Sequence, residues 1–522
     1  MKNSVLFISM LLIAFLAAAC ASAPETPEAP LPEPEGFVAK RPLRGNYGVW
    51  YEIFVGSFYD SDGNGTGDLR GIIEKLDYLN DGNLASSTSL HVDGIWLMPI
   101  MPSPSYHKYD TTDYCAIDRA YGTMADFEAL LAACRERGIK VIIDLAMNHT
   151  SIAHPWFRRA QAGDPKYLPY YSTSATKQSD KYYPLGFNNL YYEGVFWDQM
   201  PDLNFDHPDV KAEFEKIADF WLDKGVAGFR LDAVKHVYVD QAKGTDWLRW
   251  FTRYCKSKKA DVYLVGEMWD TTGAILAFYE SGVPSLFNFA LAQKTGLIPQ
   301  SVGTGNGQGF ATAMVNLEKL IRERNPGAID APFISNHDID RSADFFAGDL
   351  VRQKMAAALY LFTPGNPFIY YGEELGMRGS GRDENKRGPM IWSVRNRKGQ
   401  TRGPWEMDYR WKPAAGLREQ LADAASLPRF YIEAVKLKNR YPVTFYGVPA
   451  LLPNTDRALA AYTLSADGVT VGVLHNLSAA EKTLPLPGAV RIGGFLAAQG
   501  GEPRLEGAAL RLPAFSTVLV EM

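Results

Sequence analysis

The stretch Gly228-Phe229-Arg230-Leu231-Asp232-Ala233-Val234-Lys235-His236 decides the fold, because it reads as a short apolar strand that ends in charged groups. Alternate residues of a strand point to the same face, so the guanidinium of Arg230 and the carboxylate of Asp232 leave the strand end together. A fixed cation favours the ionised form of a neighbouring carboxylate, and a nucleophile needs that form. Taken alone, the pair is equally well explained as a structural ion pair at a strand end.

Three further segments end in the same way, with polar groups directly after a short apolar run. Residues 140–149 end in Asp144, Asn148 and His149; residues 261–267 end in Glu267; and residues 332–338 end in His337 and Asp338. Parallel α/β barrels place their active sites at the carboxyl ends of their strands. Two carboxylates that act on one sugar bond, one as acid and one as nucleophile, fit this pattern better than a set of structural ion pairs.

Strand and helix patterns alternate from Val49 to about residue 376, which predicts repeated βα units around a parallel sheet. The predicted strands end near residues 56, 99, 144, 232, 267, 289, 338 and 371, which is enough for a closed (β/α)8 barrel. After a last helix the pattern changes to short alternating strands with turn residues, which indicates an antiparallel β-sandwich. The predicted fold class is therefore α/β, a TIM barrel with an irregular subdomain inserted after the third strand and a C-terminal sandwich.

The sequence divides into six predicted segments. They are a signal peptide (1–20), a linker rich in Pro, Glu and Ala (21–42), the first part of the barrel (43–149), the inserted subdomain (150–207), the second part of the barrel (208–440) and the sandwich (441–522).

The N-terminus has the features of an export signal. Lys2 precedes an apolar run that ends in three alanines and Cys20. A cysteine at this place resembles the bacterial lipoprotein signal, so we expect an exported protein anchored to a bacterial membrane, at its periplasmic face or the cell surface, by a lipid on Cys20, with the linker as an extended tether. Ordinary secretion and an uncleaved anchor remain alternatives, although the run is short for a membrane span.

The net charge of -5 is small for 522 residues and gives no support for nucleic-acid binding. We expect a monomer.

In their order along the chain, the motifs resemble the signature regions of the α-amylase family, glycoside hydrolase family 13, from about Tyr47 to the C-terminus. The matching regions are residues 144–149, 228–236, 266–267 and 333–338, with further matches at 94–99, 200–204 and 372–374. The segment Met200-Pro201-Asp202-Leu203-Asn204 is similar to that of lipoprotein α-amylases intermediate between the oligo-1,6-glucosidase and neopullulanase subfamilies.

The resemblance implies a retaining mechanism with Asp232 as nucleophile, Glu267 as general acid and base, and Asp338 as a ligand that strengthens its contacts in the transition state. It also implies a set of substrate-binding residues: Arg230, His149, His337, His107, Tyr109, Asp144, Lys235 and His236.

The implied substrate is an α-glucan such as starch, glycogen or a maltooligosaccharide, cleaved internally at α-1,4 bonds. Exo-acting α-glucosidases usually carry an Asp where this chain has Tyr106, which favours a cleft open at both ends. The alternatives are an exo-acting α-glucosidase or oligo-1,6-glucosidase, a 4-α-glucanotransferase, and a non-catalytic glucan-binding surface paralogue. The last class loses members of the catalytic triad, whereas this chain retains all of them.

The segment from Asp60 to Asp68 predicts a Ca²⁺ site, because it places oxygen ligands at alternate positions of a Gly-rich loop. Gly71 stands where an EF-hand has its closing Glu, so the loop is not an EF-hand. A turn that binds no metal is the alternative. The expected ligands are Asp60, Asp62, Asn64, the carbonyl of Thr66, and Asp68. The resemblance implies a second Ca²⁺ near Asn148 and Asp202.

Overall fold

The computed structural model describes Lys40 and residues 42–522. The first ten strands, in chain order, are β1 (Trp50–Ile53), β2 (Gly94–Leu97), β3 (Lys140–Leu145), β4 (Thr173–Ser174), β5 (Tyr182–Pro184), β6 (Tyr191–Glu193), β7 (Gly228–Leu231), β8 (Tyr263–Gly266), β9 (Ser285–Leu286) and β10 (Phe368–Tyr370). Seven of them form one parallel sheet in the order β10-β1-β2-β3-β7-β8-β9.

The sheet closes through the extended segment that follows Ile329. Phe287 forms a parallel bridge with Ala331, and Asn288 N donates to Ala331 O at 3.0 Å. On the other side Phe368 N donates to Pro332 O at 2.9 Å. This segment occupies the seventh position of the barrel, so the predicted TIM barrel is confirmed.

Helices surround the barrel because its strands are buried on both faces, which requires an outer apolar layer. The longer ones are Met124–Glu136, Pro155–Gln161, Pro208–Lys224, Gln241–Lys258, Thr272–Phe278, Leu297–Thr304, Gly307–Arg324, Leu350–Phe362 and Leu427–Arg440. Short helices lie at Val55–Phe58, Leu69–Glu74, Leu76–Leu79, Ser342–Phe345, Asp383–Lys386, Leu417–Leu421 and Val443–Tyr446, with 3-10 turns at Leu168–Tyr170, Val234–His236, Tyr279–Ser281 and Glu373–Leu375.

The insertion after β3 is irregular, as predicted, apart from the helix Pro155–Gln161 and the small antiparallel sheet β4-β6-β5. Its return to the barrel is fixed by two bridges, His149 with Asp202 and Tyr171 with Leu203. The insertion therefore lies over the carboxyl end of β3, beside the predicted site.

The C-terminal strands are β11 (Val448–Leu451), β12 (Leu459–Ala466), β13 (Val469–Asn476), β14 (Lys482–Pro485), β15 (Arg491–Ala497), β16 (Arg504–Glu506), β17 (Ala509–Leu512) and β18 (Ser516–Glu521). They form two antiparallel sheets, β11-β12-β13-β18-β15 and β14-β17-β16. Apolar side chains from both sheets, including Leu474 and Leu510, form a second core between them. The predicted C-terminal sandwich is confirmed.

The predicted signal peptide, Cys20 and most of the predicted linker lie outside the described residues. Within residues 42–522 no helix combines the length and the apolar character that crossing a bilayer requires.

A substitution at Gly228, the first residue of β7, would test how tightly the barrel strands are packed against each other. A Cβ at Gly228 would lie 1.9 Å from the carbonyl oxygen of Tyr263, the residue that Gly228 pairs with on β8. We expect Gly228→Ala to lower the free energy of unfolding by at least about 3 kcal/mol, because backbone must move to admit the methyl group. Urea unfolding followed by circular dichroism measures this change.

Gly303, inside the helix Leu297–Thr304, is the matched control. Apart from its chain neighbours and the backbone of its own helix, no atom lies within 4 Å of its Cβ position, so Gly303→Ala should leave stability unchanged or slightly higher. Equal losses in the two variants would contradict the packing argument.

Candidate active site

Arg230 lies at the centre of a buried cluster of carboxylates at the carboxyl end of the barrel. Its Nη1 lies 2.9 Å from Asp144 Oδ1 and 2.6 Å from Asp232 Oδ1, and its Nη2 lies 3.0 Å from Glu267 Oε2. The guanidinium is fully buried. One cation therefore sets the positions of three acids that come from different strands.

The barrel register explains why these side chains meet. Asp144 on β3 pairs with Arg230 on β7, and Asp232 and Glu267 directly follow the last residues of β7 and β8. Ala233 has a left-handed backbone with φ of 48°, uncommon for a residue other than glycine. This turn directs the Ala233 N–H to Glu267 Oε2 at 3.1 Å.

Asp144 is held by aromatic donors as well as by Arg230. Trp96 Nε1 donates to Asp144 Oδ2 at 3.2 Å, and the Tyr109 hydroxyl donates to the same oxygen at 3.0 Å. The oxygens of the Asp144 carboxylate are thus occupied by contacts with Arg230, Trp96 and Tyr109, so this group does not face a substrate. The structure places Asp144 behind the site and not in the lining of the cleft.

His337 links the opposite side of the barrel to Tyr109. His337 Nδ1 lies 2.6 Å from Glu52 Oε1, and Nε2 lies 2.6 Å from the Tyr109 hydroxyl and 3.0 Å from Asp338 Oδ2. Burial lowers the pKa of His337, but Asp338 and Glu52 outweigh it and raise the pKa to about 10. His337 is therefore a cation at neutral pH and donates from both nitrogens.

Arg387 is a second cation at the site, and the sequence analysis missed it. Its Nη2 lies 2.7 Å from Asp338 Oδ1, its Nε donates to His337 O at 3.1 Å, and its Nη1 donates to the Tyr106 hydroxyl at 2.9 Å. Although burial raises the pKa of Asp338, His337 and Arg387 hold it far below its usual range. Asp338 therefore stays ionised.

Glu52 was also missed. A buried acid inside the apolar strand β1 was a visible signal for it. Arg387 follows a short helix in a loop, with no motif around it, so the sequence carried no comparable signal.

Asp232 and Glu267 titrate as a pair. Burial raises the pKa of each to about 6, and Arg230 opposes the shift in both. Arg230 lies closer to Asp232, at 2.6 Å against 3.0 Å, and therefore favours the ionised form of Asp232 more strongly than that of Glu267. Glycoside cleavage requires one ionised and one protonated carboxyl group, and the unequal contacts with Arg230 favour Asp232 as the ionised one.

A cleft of about 530 Å³ opens over these acids. Asp232, Glu267 and Asp338 line it, together with the predicted binding residues His107, Tyr109, His149, Lys235 and His236. The ring of Tyr109 stacks on His337 at 5.5 Å. His337 itself lies beneath the cleft, next to Tyr109 and Asp338.

Two histidines of the cleft have nitrogens available to a ligand. His107 Nδ1 accepts from Tyr109 N at 3.1 Å, which leaves its Nε2 for the cleft. His149 is 1% exposed, and no described residue satisfies either of its ring nitrogens with a hydrogen bond of normal geometry. Burial lowers the pKa of His149 to about 3, so the ring is neutral.

The mouth of the cleft carries aromatic side chains that the sequence analysis did not single out as binding residues. Phe196 and Trp197 of the insertion are 39% and 44% exposed, and Trp269, after β8, is 37% exposed and stacks on Phe289. Lys235 lies beside Trp269 and donates to its carbonyl oxygen at 2.5 Å. His236 packs edge-on against Phe196.

The residues predicted to bind metal lie in two places. Carboxylate oxygens of Asp60, Asp62 and Asp68 lie within 4.8 Å of one another. Asn64 Oδ1 accepts from Thr66 N at 2.7 Å inside the same loop.

The second predicted pair lies under the insertion. Asn148 Nδ2 donates to Asp202 Oδ1 at 3.0 Å, and Asp202 Oδ2 accepts from Val195 N at 3.1 Å. Burial raises the pKa of Asp202 to about 8, and the nearby Glu193 adds to the shift.

The sequence and the fold were compared with those of known proteins, and both comparisons identify a family. The profile of the alpha amylase catalytic domain matches residues 52–447. Alpha-amylase 3 of Dictyoglomus thermophilum is 40% identical over 482 residues, which cover 91% of this chain and 93% of the relative. A 4-alpha-glucanotransferase of Thermotoga neapolitana is 31% identical over 450 residues, which cover 83% of this chain and 96% of the relative.

A solved structure, Eubacterium rectale Amy13B, superimposes with a TM-score of 0.87 at 38% identity and covers 92% of this chain and 96% of that one. The protein is an enzyme with a TIM-barrel catalytic domain that acts on glycosidic bonds. The chain belongs to the α-amylase family, glycoside hydrolase family 13, as its motifs predicted.

Proposed function

We propose that the protein is a retaining endo-hydrolase of α-1,4-glucosidic bonds in starch, glycogen or maltooligosaccharides. The observation that carries this proposal is the aromatic mouth of the cleft, formed by Phe196, Trp197 and Trp269 around the three acids. Exposed aromatic rings stack on the apolar faces of sugars, and rings beyond the reacting centre favour a substrate several sugars long. The 40% identity to a protein named alpha-amylase 3 supports the same substrate class.

The reaction proceeds in two displacements. Asp232 attacks the anomeric carbon while Glu267 transfers its proton to the leaving glycosidic oxygen. The bond between the anomeric carbon and that oxygen breaks. Glu267 then removes a proton from water, which attacks the same carbon and releases Asp232. The short contact of Arg230 with Asp232 supports this division of roles, because it keeps the nucleophile ionised.

The remaining cleft residues bind the sugar around the reacting bond. Asp338, held ionised by His337 and Arg387, accepts hydrogen bonds from sugar hydroxyls. His149 and His107 offer nitrogens to hydroxyls on the same side.

Tyr109 forms the floor of the cleft under the ring at the cleavage point. Lys235 and His236 lie towards the leaving group.

We expect cleavage of a maltoheptaose blocked at its non-reducing end into internal fragments, resolved by chromatography. An exo-acting enzyme would leave this sugar intact and cleave the unblocked one. Products longer than the substrate would instead identify a 4-α-glucanotransferase, the activity named for the 31% identical relative. Inertness towards both sugars would favour α-1,6 specificity or a non-catalytic role.

We expect Asp232→Asn to lower kcat by roughly 10⁴-fold or more, because the amide cannot attack the anomeric carbon. The side chain keeps its size, so the melting temperature and glucan binding should change little. Steady-state kinetics, with calorimetry of maltoheptaose binding as the folding control, measures both effects. Turnover near the wild-type rate would remove Asp232 as the nucleophile.

We propose that the loop from Asp60 to Asp68 binds Ca²⁺. Three clustered carboxylates repel one another unless a cation lies between them, and hard oxygen ligands suit Ca²⁺. Asn64 and the Thr66 carbonyl complete the proposed donor set. The ion would brace the loop and takes no part in the chemistry.

Asn148 and Asp202 form the proposed second site. A cation bound there would favour the ionised form of Asp202 and so lower its raised pKa.

Chelation with EGTA should lower the melting temperature, because an ion at 100 times its Kd stabilises the folded state by about 2.7 kcal/mol. Asp62→Asn should reduce this shift, since Asp62 is an exposed member of the cluster whose loss costs little packing. Asp180→Asn, an exposed acid of the insertion, is the control. A melting temperature that EGTA does not change would rule out a bound, stabilising Ca²⁺.

We propose that the protein is exported and anchored in a bacterial membrane by a lipid on Cys20. The sequence context of Cys20 supports this. Wild-type protein should take up a palmitate label and sediment with membranes, whereas Cys20→Ser should lose the label and become soluble. Cys20→Ser that stays in the membrane fraction would indicate anchoring by the uncleaved apolar run.

A further inference from the structure

A second cavity of about 370 Å³ lies in the long segment that follows β10, between the short helix Asp383–Lys386 and residues 388–413. Asn385 and Gly388 are part of its wall. It shares no lining residue with the active-site cleft, although Arg387 of that cleft lies between Asn385 and Gly388 in the chain. The cavity is therefore a separate compartment beside the catalytic one.

Three cations surround this cavity without acidic partners. Arg397, Arg410 and Lys412 line it and are exposed, and none makes an ion pair with a described residue. Arg410 Nη1 donates only to the carbonyl oxygen of Arg402, at 2.6 Å. In a chain with a net charge of -5, such a group creates a local positive potential that attracts an anion.

Thr401 gives an independent indication of a ligand. It lines the cavity and is 4% exposed, and no described residue makes a hydrogen bond with its hydroxyl. The neighbouring polar side chains, by contrast, already have hydrogen-bond partners. Ser393 donates to Glu419, and Gln400 donates to Met390 O at 3.3 Å. A buried hydroxyl without a partner is costly, so a ligand with a polar group would satisfy it.

An apolar wall completes the site. Trp411 lies in the cavity lining with Met377 and Met407. An indole ring next to donors is a surface on which a sugar ring stacks while its polar substituents reach the donors.

We propose that this cavity binds a phosphorylated sugar. Arg397, Arg410 and Lys412 hold the phosphate oxygens, Trp411 contacts the face of the ring, and Thr401 exchanges a hydrogen bond with a ring hydroxyl. The volume lies at the lower end of the roughly 300–1,000 Å³ that small-molecule sites span, which suits a single hexose phosphate better than a glucan chain.

Titration calorimetry of the whole protein with glucose 6-phosphate, inorganic phosphate and glucose tests the proposal. The titrations are made in the Asp232→Asn background, so that maltotriose fills the catalytic cleft without being hydrolysed. Glucose 6-phosphate should bind at one site, about tenfold more tightly than phosphate, with an affinity that falls as salt rises. Glucose should not bind there. Equal affinity for glucose 6-phosphate and phosphate would overturn the sugar contact, and equal affinity for glucose would overturn the anion site.

Matched variants locate the binding. Arg397→Gln with Lys412→Gln should weaken glucose 6-phosphate binding by about tenfold or more, because two charge-assisted contacts are lost. Arg395→Gln with Lys398→Gln removes the same charge from exposed positions of the same segment that do not line the cavity, and should leave affinity nearly unchanged. Equal losses in the two pairs would show non-specific attraction and overturn the site.

Thr401→Val is the sharpest variant, because it removes only the unpartnered hydroxyl. It should leave the melting temperature of the free protein unchanged or higher, while weakening glucose 6-phosphate binding several-fold. Affinity equal to that of the wild type would overturn the proposed hydrogen bond between Thr401 and a ring hydroxyl.

Discussion

The buried guanidinium of Arg230 is the interaction on which the rest of the site depends. Three carboxylates from the ends of three strands converge within 3.0 Å on this guanidinium, which is itself fully buried. Without the cation, these acids would repel one another, and burial would drive them to take up protons. With it, one acid can be ionised and a neighbour protonated at the same pH, which is the condition for two-step glycoside cleavage.

A second charged chain connects the far side of the barrel to this cluster. Glu52 on β1 and Asp338 hold His337 as a cation, His337 donates to the Tyr109 hydroxyl, and Tyr109 donates to Asp144, the carboxylate bound by Arg230. These hydrogen bonds all run in one direction along the chain, from His337 through the Tyr109 hydroxyl to Asp144, so each donor meets an acceptor. Glu52 and His337, which do not line the cleft, thereby fix the orientation of Tyr109 and Asp338, which do.

The part of the site proposed to bind glucan has a different physical basis. Phe196 and Trp197 come from an insertion with little regular structure, whose last residues are bridged to His149, after β3, and to Tyr171. The cavity around Thr401 and Trp411 also belongs to a long segment beyond a barrel strand. The barrel provides the rigid acids, while segments outside its sheet provide the surfaces that select a ligand.

The sequence by itself determined the barrel and its acids. A strand buried on both faces must be apolar, so the polar residues that end such runs, Asp144, Asp232 and Glu267, are visible in one dimension. Because each stands at the carboxyl end of a predicted strand, they are expected at the same edge of a parallel sheet. Only the tertiary structure decided which charges meet, because contacts such as Arg387 with Asp338, or Glu52 with His337, join side chains 49 and 285 residues apart. Loop residues carry no periodic pattern, and the partner of a charge is settled by packing in three dimensions.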